Sequence, residues 1–172
     1  MGTNFDSYCG IFCGACSIMV SYRTGIKDPL AEFFNEENVR SFFAMQGVEF
    51  PDEPFEHKCN GCKTDVLFVN CRPCRIRACA EAKNVQHCVE CSDYPCELFK
   101  FQFCNPDVHE KLPHSKMSVI NLDRIKETGV SRWLAEQEAS WRCPDCGTGF
   151  SWYANVCSHC GRELDSLKDF NK

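Results

Sequence analysis

The chain has 172 residues, 44% of them hydrophobic and 25% charged, with a formal net charge of −5. That length and apolar content suit one domain, or one domain with a small appended module, and exclude a disordered chain. The acidic balance argues against non-specific binding of nucleic acid, and no apolar run approaches the ~20 residues of a membrane span.

Sixteen cysteines dominate the composition. Twelve form six Cys-x-x-Cys pairs: Cys13/Cys16, Cys59/Cys62, Cys71/Cys74, Cys88/Cys91, Cys143/Cys146 and Cys157/Cys160. The others are Cys9, Cys79, Cys96 and Cys104. Two residues between thiols suit a turn that aims both sulfurs at one tetrahedral ion. As a disulfide framework, the same pairs would bridge their own neighbours and staple nothing. The first residues, MGTNFDSYCG, carry neither the basic region nor the apolar run of a secretory signal. The expectation is metal ligation in a reducing, cytoplasmic compartment.

Taken in order, residues 8–16 read YCGIFCGAC, which spaces Cys9, Cys13 and Cys16 as C-x3-C-x2-C. Radical S-adenosylmethionine enzymes hold a [4Fe–4S] cluster with that spacing, but this chain lacks the alternation of strands and helices their barrel requires. Structural zinc ligation is therefore the expected role. A short helix over 15–22 should end near Gly25. Asp28-Pro29 reads as an N-cap with proline at the first helical position. It opens a helix over 29–35 with Leu30, Phe33 and Phe34 buried. A second helix, over 36–46, follows an Asn35 cap and buries Val39, Phe42 and Phe43. VEFPDEPFEHK then reads as an acidic surface linker.

The stretch from Cys59 to Cys104 holds nine of the cysteines. Its run VLFV, residues 66–69, reads as a single buried strand. Arg72 to Lys83 reads as a helix with Asn84 as its stop, and a further helix starts near Cys96 with Leu98, Phe99 and Phe103 as its apolar side. Residues 55–83 carry six cations against Glu56, Asp65 and Glu81, a local excess best explained by cations that offset thiolate charge. NPDVHEKLP reads as a turn. His114 stands before a helix marked by Met117, Ile120, Leu122 and Ile125, and a hydrogen-bonded histidine is the commoner case there than a metal ligand. A last short helix is anchored by Trp133 and Leu134.

The C-terminal motif is WRCPDCGTGFSWYANVCSHCGREL. Cys143, Cys146, Cys157 and Cys160 form two Cys-x-x-Cys-Gly knuckles, with FSWY as an expected strand between them. A closed set of four thiolates implies a structural ion without an open position for catalysis.

YCGIFCGAC, CNGC, CRPCRIRACA and HCVECSDYPCELF together resemble the cysteine-rich prokaryotic family called domain of unknown function 3795. The likeness covers roughly residues 7–104 and extends into NLDRIKETGVSRWLAEQEASWRCPDCG. It implies metal binding and a mainly helical cysteine-rich fold, and no reaction.

The fold class expected is thus small, metal-stabilised and mainly α-helical, with irregular zinc knuckles and short strands, and with a C-terminal β zinc ribbon. Residues 1–140 would form the cysteine-rich domain and 141–172 the ribbon. All sixteen cysteines are candidate ligands for up to four zinc ions, with an iron–sulfur cluster as the alternative. One partition places Cys59, Cys62, Cys71 and Cys74 together, then Cys88, Cys91, Cys96 and Cys104, then Cys9, Cys13, Cys16 and Cys79. Another cross-braces Cys59/Cys62 with Cys88/Cys91. No nucleotide loop, serine-hydrolase elbow or metalloprotease motif is present in the sequence. The readings that follow are a zinc-binding protein with structural metals and a protein partner, an iron–sulfur or redox protein using the N-terminal motif, and a metal enzyme or metal-handling protein with one open site.

Overall fold

A computed structural model describes residues 2–45 and 47–164. Gln46, the expected last residue of the second phenylalanine-bearing helix, lies outside the described residues, as do residues 165–172 of the expected ribbon. Eight α-helices occur among the described residues. They are α1 Ser17–Thr24, α2 Pro29–Phe33, α3 Glu36–Met45, α4 Arg75–Ala82, α5 Glu97–Phe103, α6 Pro106–Lys111, α7 Met117–Thr128 and α8 Val130–Ser140. Single 3-10 turns at Cys13–Ala15, Val69–Cys71, Cys88–Glu90 and Pro113–Lys116 join them. The fold is mainly helical, as expected. In place of strands, the described residues hold two isolated antiparallel bridges, Arg142 with Gly149 and Val156 with Glu163.

The helix boundaries follow from local chemistry. The Asp28 carboxylate accepts the Ala31 N–H at 2.8 Å and Pro29 fills the first helical position, so α2 starts there. Asn35 accepts the Asn38 N–H at 3.0 Å and opens α3. Asn84, with φ of 52°, ends α4 by turning left-handed, a conformation asparagine tolerates. Gly10 has φ of 82°, and a Cβ there would stand 2.8 Å from the Leu122 side chain, so its bare backbone lets α7 close onto the N-terminal motif.

Several expectations are corrected. VLFV is not a strand: Leu67, Phe68 and Val69 are buried, but the run passes directly into a 3-10 turn with no strand beside it. NPDVHEKLP is not a turn but α6, because Asn105 accepts the Asp107 N–H at 3.0 Å and Pro106 takes the first position, repeating the Asp28-Pro29 device. The helix expected over 72–83 begins at Arg75, after a 3-10 turn that ends at Cys71. Phe33 is 50% exposed and Ile120 58% exposed, so Ala31 in α2 and Ser118 and Asn121 in α7 take the buried positions instead. FSWY is not a strand either.

Two apolar clusters form the core. One gathers Phe12, Ile76, Phe99, Leu122, Trp133 and Trp152, and so joins the N-terminal motif to α4, α5, α7, α8 and the C-terminal segment. The other gathers Ile18, Met19, Val39, Phe43 and Phe68 from α1, α3 and the loop before α4.

The C-terminal segment is docked by specific bonds. The Trp152 N–H donates to the Ala15 carbonyl at 3.0 Å, between Cys13 and Cys16. The Ser151 hydroxyl donates to Asp28 at 2.5 Å, and Ser17 donates to the same oxygen at 2.6 Å. The Trp152 N–H that a hairpin strand would use is thus spent on the N-terminal motif, while the Phe150 N–H bonds the Trp141 carbonyl at 3.1 Å. His114 stacks on Trp152 with ring centroids 4.3 Å apart, and its Nδ1 lies 2.7 Å from the Tyr153 hydroxyl.

Asp28 is buried and accepts from three donors on three segments. Asp28→Ala should lower unfolding stability by on the order of 3 kcal/mol in urea denaturation followed by tryptophan fluorescence. Loss of an ordinary N-cap would cost only about 1 kcal/mol, and that result would refute the docking role. Burial lowers the His114 pKa from 6.5 to about 4. Its neutral ring must charge on unfolding below pH 6.5, so its contribution is complete above 6.5 and is lost as pH falls towards 4. Between those limits the wild type should lose about 3 kcal/mol more than His114→Phe, read from denaturation midpoints across that pH range.

Candidate metal centre

The clearest constellation is Cys143, Cys146, Cys157 and Cys160, whose thiol sulfurs all lie within 4.8 Å of one another. Cys143 and Cys160 sulfurs are 3.6 Å apart, and those of Cys146 and Cys157 are 3.5 Å apart. Zn–S bonds of about 2.3 Å at a tetrahedral ion set an S–S edge of about 3.8 Å, so the four thiols stand close to the separation such an ion imposes.

The sequence builds this group twice over. The Cys143 N–H donates to the Thr148 carbonyl at 2.8 Å, and the Cys157 N–H to the Arg162 carbonyl at 2.7 Å. Gly147 donates back to Cys143 at 2.8 Å, and Gly161 to Cys157 at 3.0 Å. Both glycines are left-handed, with φ of 72° and 75°. Each knuckle is closed by one of the two antiparallel bridges, and an ion pair between Arg162 and Asp145 ties the knuckles together. A strand-paired ribbon is thus replaced by two bridged knuckles. Hydrogen bonding with Thr148 lowers the Cys146 thiol to about 6, which favours the thiolate a metal needs. His159 lies exposed within its knuckle, outside the four-sulfur group.

The remaining twelve cysteines are unpaired thiols. Seven converge from three segments. Cys71 has Cys16, Cys59, Cys74 and Cys62 as charged-state neighbours, Cys62 has Cys9 and Cys74, and Cys13 has Cys16, Cys62 and Cys9. Burial, the largest influence, raises Cys9 and Cys16 to about 11 and Cys62 to about 12, so these thiols stay protonated at neutral pH until a cation displaces the protons. Gly61 makes this convergence possible: its φ is 114°, and a Cβ would meet the Asn4 carbonyl at 2.0 Å.

A second neighbourhood gathers Cys79, Cys88, Cys91 and Cys96, which line one cavity. Cys79 thus lines a cavity with the other three, whereas the first partition had put it with Cys9, Cys13 and Cys16; Cys9 also stands among the neighbours of Cys88. Cys104 is exposed and sits at the far end of α5 from Cys96. Eight residues rotate back towards the same side of a helix but also climb about 12 Å, and that rise separates the two thiols.

Sequence reasoning missed a buried charge network between the two neighbourhoods. Asp6 receives the Lys63 ammonium at 2.6 Å and faces His87 Nε2 at 2.9 Å, while His87 Nδ1 lies 3.1 Å from Glu90. Although burial would raise the Asp6 carboxyl, the hydrogen bonds from His87 and Lys63 overcome it and hold the group below the ordinary aspartate value. These residues flank Cys62 and Cys88, and the Cys88 N–H donates to the Tyr8 carbonyl at 2.7 Å. The network clamps three cysteine-bearing loops, and no spacing rule marks it in the sequence. The basic excess of residues 55–83 is largely taken up by acids. Arg72 pairs with Glu53, Arg77 with Glu81 and Lys83 with Asp93, and Lys83 also reaches the Cys91 sulfur at 3.4 Å.

No helix among the described residues is long and apolar enough to cross a membrane. Neither the curated proteins nor the solved structures include a match to this chain. The sequence profile described as protein of unknown function (DUF3795) matches residues 5–101, more than half of the chain. That span takes in both cysteine neighbourhoods and the buried charge network, and stops short of Cys104 and the C-terminal knuckles. The chain belongs to the DUF3795 family.

Proposed function

We propose that this is a zinc-stabilised protein-interaction module, working in a reducing cytoplasm, in which the metals are structural and the surface engages a protein partner. The four sulfurs of Cys143, Cys146, Cys157 and Cys160, within 4.8 Å of one another, carry the reading. Four thiolates saturate a tetrahedral zinc ion, leaving no position for substrate or water. Structural zinc contributes on the order of 10–16 kcal/mol in comparable small motifs, enough to hold a segment with only two isolated bridges. The interaction part of the reading draws on Tyr22, Ile26, Phe33 and Met45, large apolar side chains that stand 43–74% exposed on and between α1, α2 and α3.

A second reading, an iron–sulfur protein, attaches to the seven converging thiols that include Cys9, Cys13 and Cys16. The observation that favours it is that Cys9, Cys13, Cys16 and Cys62 neighbour one another beside Cys59, Cys71 and Cys74, more sulfurs than one tetrahedral ion uses.

Elemental analysis of anaerobically purified protein, with its visible spectrum, tests both. Zinc in a colourless protein is expected. Cys143→Ser should remove one zinc per chain and expose Trp152 fluorescence to quenching. A brown protein with iron and sulfide replaces the zinc reading with the iron–sulfur one. An unchanged zinc count in Cys143→Ser refutes the C-terminal site.

A further inference from the structure

We propose that Cys79, Cys88, Cys91 and Cys96 form a second single-ion site, for a thiophilic divalent cation of the zinc type. The proposal rests on the metal-binding reading of the chain, but not on the C-terminal site.

Three separate pieces of backbone deliver the four thiols to one cavity. Cys79 lies on α4 and Cys88 opens the 3-10 turn Cys88–Glu90. Cys91 closes that turn, its N–H donating to the Cys88 carbonyl at 3.1 Å, and Cys96 caps the start of α5. The remaining lining is mostly apolar, Phe99 among it, and so offers few competing ligands. From outside, the Lys83 ammonium rests on the Cys91 sulfur at 3.4 Å while pairing with Asp93. A cation held on a sulfur in this way offsets the −2 charge of a divalent ion bound by four thiolates.

The cavity is small, about 30 Å³, and admits a single ion. The four sulfurs stand farther apart than those of Cys143, Cys146, Cys157 and Cys160. On this proposal the cysteine side chains turn between staggered positions to close on the ion. Cys104 takes no part, since the length of α5 lies between it and Cys96. The span matched by the family profile contains all four proposed ligands and excludes Cys104.

The site would join α4 to α5 across the loop between them, making an ion the link between two helices of the larger core cluster. The test is the metal count per chain after anaerobic purification of the full chain. Cys79→Ser and Cys96→Ser should each lose one ion, Cys104→Ser none, and Cys79→Ser combined with Cys143→Ser two. Cys79→His provides the fold-preserving control. It should keep the wild-type count and, with cobalt(II) loaded in place of the native metal, move the visible d–d bands to higher energy as nitrogen replaces sulfur.

Three outcomes overturn the proposal: an ion lost in Cys104→Ser but kept in Cys79→Ser, a cobalt spectrum unmoved by Cys79→His, or iron–sulfur absorption that vanishes in Cys79→Ser. An unchanged count in Cys143→Ser strikes the C-terminal site and leaves this one standing.

Discussion

Sixteen unpaired thiols gathered at the joints of the chain are the constraint this fold is built around, since they can share an interior only as neutral thiols or as thiolates compensated by a cation. The helices are short, the longest having twelve residues, and the cysteines sit almost entirely in the turns and loops between them or at their ends. Between α3 and α4 the described chain contains a single 3-10 turn as regular structure. Backbone hydrogen bonding there is sparse, so cross-links must replace it. On the proposed metal-binding reading the sulfurs supply one kind of link, once a cation compensates them. The Asp6, Lys63, His87 and Glu90 network supplies another, built from oxygen and nitrogen and complete without metal. The two are interleaved, because Lys63 follows Cys62 and His87 precedes Cys88.

Much of the local structure was legible in the sequence, for reasons that are themselves local. Asp28-Pro29, Asn35 and Gly25 act through atoms a few residues away, and the helices they open or close stand where the sequence places them. Asn105-Pro106 carries the same signal, but α6 lacks an apolar stripe to reinforce it, having no fully buried residue. The knuckles were legible because their bonds run between positions four or five apart, where spacing and geometry are nearly the same thing.

The grouping of the other cysteines was not legible, because it is a tertiary fact. Counting residues between Cys96 and Cys104 captures rotation about a helix, while the decisive quantity is the rise along it. Cys79 is separated in sequence from Cys88, Cys91 and Cys96 by a turn whose direction depends on the left-handed Asn84. The expected strand at FSWY failed similarly: its alternating pattern is real, but the partners of Ser151 and Trp152 lie more than a hundred residues earlier. Buried charges were the hardest to foresee, since Asp6 and His87 look like surface residues until the loops that carry them are closed.

The docking of Ser151 and Trp152 has a consequence for the order in which the molecule is made. The carboxylate of Asp28 and the carbonyl of Ala15 leave the ribosome more than a hundred residues ahead of the Ser151 hydroxyl and the Trp152 N–H that bond them. Until those partners emerge, the N-terminal cysteine motif lacks one of its flanking contacts. The segment that carries the C-terminal knuckles thus completes a surface that the N-terminal motif cannot close alone.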